Sequence, residues 1–198
     1  MADKISEVVM LENVRLSFPH LAEPQVNDKG KKNYGALLIM EPDHPGVAAV
    51  KKAMVKVAKQ KWPNKYEDIV KQLKAAHKLC LKPGELKAGD YDGFDGMVFV
   101  SANNGARPKI LNRAGEPVGA DDEQFPYSGC YVIASIGIWP QDHVKHGKRI
   151  NAELRGVRFL KDGESFGGGG VADDDELGGK LSAGADDDMP EDDEDDLV

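Results

Sequence analysis

Residues 128–139 read SGCYVIASIGIW, the most strand-like stretch of a 198-residue chain. Taken with a period of two, Cys130, Val132, Ala134, Ile136 and Ile138 form one wholly apolar face, which belongs against a core. Tyr131, Ile133, Ser135, Gly137 and Trp139 form the other face. Pro140 marks the end of the strand, and Gly137 inside it suits a tight bend.

Working outward, HVKHGKR (143–149) predicts a basic loop, followed by a last strand at about 151–160. Upstream, MVFVSANN (97–104) and RPKILNRAGEP (107–117) predict two further strands separated by Asn103-Asn104-Gly105. Near the start, 5–18 predicts a strand stopped by Pro19, then an exposed loop over 20–32, then a strand over 33–40. Between them the period changes. Val47, Val50, Met54 and Val57 recur at helical spacing behind Asp43 as N-cap and Pro45 in the first turn, and Trp62-Pro63 ends that helix. Asn64 and Glu67 resemble a capping box for a second short helix reaching about His77. Strands dominate, the helices are segregated in one insertion at about 43–77, and no βαβ rhythm appears. The predicted class is mainly β with inserted helices. An OB-like β-barrel over 1–165 fits best, and a sandwich fits less well.

Residues 166–198 form the second part: a Gly-rich hinge (167–170), then 28 residues with 13 acids and one base, Lys180. Such a segment cannot bury enough apolar surface to offset its ordering entropy, so a disordered acidic C-terminal tail is expected. The net charge of −8 hides a division: residues 1–170 hold 25 basic against 21 acidic side chains. A mildly basic body joined to a polyanion suggests a body that binds polyanions and a tail that competes with them. The tail has a plainer reading as a solubilising appendage. Its end, Glu191, Asp192, Asp193, Glu194, Asp195 and Asp196 followed by apolar Leu197 and Val198, instead suits docking into a basic-rimmed apolar pocket on a partner.

Several classes find no support. No run of eighteen apolar residues exists to span a membrane, and the opening MADKISEVVMLENV lacks a signal-peptide layout. Cys80 and Cys130, fifty residues apart, are expected reduced and buried. His143 and His146 have metal-compatible spacing but no partner cysteines, and Asp90, Asp92 and Asp95 lack calcium-loop spacing. No phosphate-loop, nucleophile-elbow or zincin motif occurs, so neither a cofactor nor an enzyme is indicated.

Three basic clusters remain: Lys29/Lys31/Lys32, Arg107/Lys109/Arg113 and Lys145/Lys148/Arg149. Singly, each reads as solvated surface. Together, at the loops and strand edges of a barrel mouth, they point to phosphate neutralisation. Tyr131 and Trp139 offer a stacking platform for bases, or pack beneath the inserted helices.

The stretches ARPKILNRAGEPV (106–118), YSGCYVIASIGIW (127–139), LRGVRFLKDGESFGGG (154–169) and NVRLSFPHL (13–21) resemble the single-stranded-DNA-binding proteins of tailed bacteriophages. The resemblance implies an OB-fold body with an acidic tail, coating single strands cooperatively during phage DNA replication or recombination in the bacterial cytoplasm. It implies a tail that recruits replication proteins and restrains binding, and subunits that associate along the strand. No zinc site of the kind some phage strand-binders carry is present, so no metal is carried over. On this reading Lys31, Lys32, Arg107, Lys109, Arg113, Lys148 and Arg149 contact phosphates, while Tyr34, Tyr131 and Trp139 stack on bases, with Phe18 ranked behind them. The rivals are an acidic interaction protein or DNA mimic, which the basic body disfavours, and a nucleic-acid enzyme such as a nuclease.

Overall fold

Alternation along residues 130–138 is realised: Cys130, Val132, Ala134, Ile136 and Ile138 are all completely buried. The structure is a computed structural model, and it describes residues 5–27 and 30–166. Its strands are β1 (Glu7–Val26), β2 (Lys32–Met40), β3 (Leu81–Pro83), β4 (Val98–Asn104), β5 (Lys109–Leu111), β6 (Tyr131–His143) and β7 (Gly147–Lys161). Two helices, α1 (Pro45–Lys61) and α2 (Tyr66–Ala75), lie between β2 and β3.

The long strands pair in the order β4-β2-β1-β6-β7, all antiparallel, and a parallel bridge between β4 and β7 closes the ring. That closure makes the five-stranded barrel of an OB-fold, with the three-residue strands β3 and β5 at the two ends of the sheet order. The closing pair is Ala102 with Ala152, both buried. Two small side chains there leave room inside the narrowing barrel. Asn104 fastens the same seam by donating from Nδ2 to the carbonyl of Leu154 at 3.0 Å.

Helix α1 buries Val47, Val50, Ala53, Met54, Val57 and Ala58, and these join the cluster that fills the barrel. A 2.6 Å ion pair between Lys56 and Glu7 ties it to β1. A smaller cluster, Ile39, Phe94 and Phe99, covers the outer side of β2 and β4 beneath the segment 84–97.

Several local expectations are corrected. β1 does not stop at Pro19 but continues to Val26, so the exposed loop shrinks to the turn after it. Pro19 falls inside a register shift between Ser17 and His20, where the ladder needs no donor from it. β6 likewise passes Pro140 and ends at His143. Beyond Ile138, β1 no longer flanks it, and a proline is tolerated on such an edge. Its irregularities against β7 lie between Tyr131 and Val132 and between Ser135 and Ile136 rather than at Gly137. The expected strand over 107–117 contracts to Lys109–Leu111, pairing parallel with β7. The cap of α1 is His44, whose Nδ1 accepts from the Gly46 amide at 3.0 Å, and not Asp43. α2 starts after Lys65 with no side-chain cap, so the Asn64 capping box does not form.

Candidate nucleic-acid interface

Strand parity decides which side chains leave the barrel. On β2, Ala36 and Leu38 face the core, so Asn33, Gly35 and Leu37 face out. On β4, Ser101 and Asn103 alternate with buried Val100 and Ala102 and so lie outward. Asn151 and Glu153 on β7, and Trp139 and Gln141 on β6, extend the same outer surface. Together with Lys31, Lys78, Lys82 and Arg149 they line an open groove of about 560 Å³. It lies over the second and third strands of the barrel, between the β1–β2 turn and the β6–β7 hairpin, the side on which OB-folds take oligonucleotides.

The floor is amide-rich. Asn33 donates to Asn103 Oδ1 at 3.2 Å, Asn103 Nδ2 reaches Ser101 Oγ at 3.4 Å, and Asn151 donates to Gln141 Oε1 at 3.1 Å. Gly35 is required here, because a Cβ would collide with the Asn103 side chain and come within 2.8 Å of the Ala102 carbonyl. The walls are cationic. Desolvation, followed by repulsion from Arg149 and Lys87, holds the Lys82 ammonium below the usual lysine range. Cations already repelling one another gain from an anion placed among them. Among the described residues, Glu153 is the one acid lining the groove.

A model of the family described as the Enterobacter phage Enc34 ssDNA-binding protein matches residues 7–198. The chain belongs to that Enc34 family. The Enc34 protein solved in complex with ssDNA is 32% identical, with a TM-score of 0.68 over 81% of this chain and 89% of that one. A putative protein p50 of Acyrthosiphon pisum secondary endosymbiont phage 1 is 39% identical over 166 residues, covering 81% of this chain and 86% of its own length. The single-stranded DNA-binding protein gp2.5 of bacteriophage T7 shares the fold at 11% identity, with a TM-score of 0.55 over 84% and 98% of the two chains. The Enc34 family is one of strand-binding proteins, not of enzymes.

Within this Enc34 family member the sequence-selected residues separate. Lys31, Trp139 and Arg149 meet in the groove. Lys32 and Tyr34 have the opposite strand parity on β2, that of the core-facing residues. Lys148 pairs with Asp142 at 3.6 Å. Arg113 donates to the Leu160 carbonyl at 2.7 Å and so ties the turn after β5 to β7; Lys109 is exposed on β5, and Arg107 is exposed just before it. Tyr131 is eight residues from Trp139 on β6, roughly 27 Å of strand. Its ring is faced by Lys161 at 4.5 Å and Arg15 at 5.5 Å, so the two aromatics are not one platform. Lys29 and the tail residues Glu191 to Val198 lie outside the described residues.

Lys78, Lys82 and the amides of the floor escaped sequence reading. The two lysines bracket a three-residue apolar run, Leu79–Leu81, too short to signal a strand, and single asparagines read as turn residues.

Proposed function

We propose that this chain binds single-stranded DNA non-catalytically and without sequence preference, along the groove over β2, β4 and β7. The observation that carries the reading is the convergence of Lys82 and Arg149 beside Trp139 in a groove open to solvent. Phosphates run past the cations, bases lie against the indole, and the amides reach base edges or sugars. The Enc34 relative solved with ssDNA supports this choice of ligand. The role is in phage DNA replication or recombination.

The acidic segment 171–198 then acts in two ways. Tethered to the body, it competes with DNA for the groove at high effective concentration, most strongly at low salt. Its end, Glu191 to Val198, offers an acidic, apolar-tipped peptide to replication proteins.

The test is quenching of Trp139 fluorescence by oligo-dT across a salt series, with a gel-shift in parallel. Salt-sensitive binding with a log–log slope of about −3, for four neutralised phosphates, is expected. Absence of binding by both methods sinks the reading. Binding that is unchanged on removing 171–198 at every salt concentration sinks the competition alone.

A further inference from the structure

Phe18 and Tyr91 are exposed aromatics that no core requires. Phe18 sits in the β1 register shift with φ at 48°, a left-handed conformation that phenylalanine rarely adopts. Its neighbours Leu16 and Ser17 are buried, yet its own ring is turned out and 38% exposed. Tyr91, 46% exposed, comes from the segment 84–97 and meets Phe18 edge to face, with centroids 4.8 Å apart and planes at 89°. Lys87 Nζ lies 5.2 Å from the Phe18 centroid and 4.9 Å from that of Tyr91.

The pair stands on a rigid base. Phe94 is fully buried behind Phe18 at 6.5 Å and packs edge-on against Phe99 at 5.4 Å. Those two rings, with Ile39, already fill the small cluster under the segment, so burial does not account for Phe18 and Tyr91. An edge-to-face pair leaves part of the ring surface open to solvent, and Lys87 sets a positive charge over both rings.

We propose that Phe18, Tyr91 and Lys87 form a second stacking subsite that takes an unpaired nucleobase, with its phosphate, from the same strand that occupies the groove. The inference rests on the groove reading above and extends it. Lys82 joins the two places: it lines the groove with Arg149, and the single 3-10 turn Gly84–Leu86 that follows β3 leads from it directly to Lys87. Arg149, Lys82 and Lys87 therefore make a cationic track for the sugar–phosphate backbone, with Trp139 on the groove side and the Phe18–Tyr91 pair at the other. A flat π face beside a single cation matches a nucleotide, whose base is planar and whose phosphate is anionic.

The test uses the full chain and a dT oligonucleotide of about twelve residues, within the span an OB-fold covers. Tyr91→Ala is expected to bind about tenfold more weakly, while Tyr91→Phe, which keeps a stacking face, binds like the native chain. Tyr91→Trp is expected to add emission that the oligonucleotide quenches. Arg149→Ala reports on the groove independently. Native binding by Tyr91→Ala, with loss in Arg149→Ala, overturns the subsite and leaves the groove standing. Loss in Tyr91→Ala, with none in Arg149→Ala, overturns the shared track, because the strand then reaches the aromatic pair without crossing the groove. Equal loss in Tyr91→Ala and Tyr91→Phe overturns stacking, because only the hydroxyl distinguishes phenylalanine from tyrosine.

Discussion

The indole N–H of Trp62 donates to Asp142 Oδ2 at 2.9 Å, joining the C-terminus of α1 to the outer end of β6. This bond, followed by smaller contributions from Lys148 and Lys61, lowers the Asp142 carboxyl from its ordinary value against an opposing desolvation. A folded pKa below the unfolded one adds stability that is present above the ordinary aspartate range and lost as pH falls through the lowered value. In Trp62→Phe, Asp142 is expected to titrate closer to the usual range, as followed by carboxyl chemical shifts in NMR. The same variant loses a buried indole's packing and its bond, about 2 kcal/mol in a denaturant titration.

Lys148 and Arg149 are adjacent in sequence and opposite in role. Lys148 faces Asp142, while Arg149 lines the groove. Replacing Arg149 by alanine should weaken oligo-dT binding and flatten the log–log salt slope by roughly 0.7, one phosphate's worth. Lys148→Ala should leave the slope nearly unchanged. Equal slopes for the two variants would contradict the assignment.

The two cysteines should be inert in the folded chain. Burial pushes the Cys80 thiol up to about 12 and that of Cys130 up to about 11. Both folded values lie above the unfolded one, so the associated stability is complete below the ordinary thiol value and is lost as pH rises through the raised ones. A thiol reagent at pH 8 should label both residues only in denaturant, read by mass spectrometry.

Gly129 has φ at 103°, and a Cβ there would collide with the Glu164 carbonyl. It is the seat of the segment after β7, which Arg15 also pins by donating to Gly129 O at 3.2 Å and Glu164 O at 2.7 Å. Gly129→Ala should cost about 2 kcal/mol or more, lowering Tm by about 5 °C. An unchanged Tm would mean that the segment moves away at no cost.

The barrel was legible because strict alternation at 130–138 admits one buried face, and the helical insertion because Val47, Val50, Met54 and Val57 change the period. The prolines misled. Pro19 and Pro140 read as strand ends, since sequence shows a missing donor but not whether a neighbouring strand needs it. The site was half legible. Charge clusters named Lys31 and Arg149, but Lys82 and Lys87 sit outside any cluster.

The sequence by itself determined that a basic, strand-rich body is joined to an acidic segment, because charge and periodicity are properties of the chain. Only the tertiary structure decided which cations share a surface. Closing the barrel through Ala102 and Ala152 brings β7 beside β4, and that pairing sets Arg149 next to Lys82, 67 positions earlier in the chain. The strand itself parts Tyr131 from Trp139, because eight residues of extended chain hold them roughly 27 Å apart.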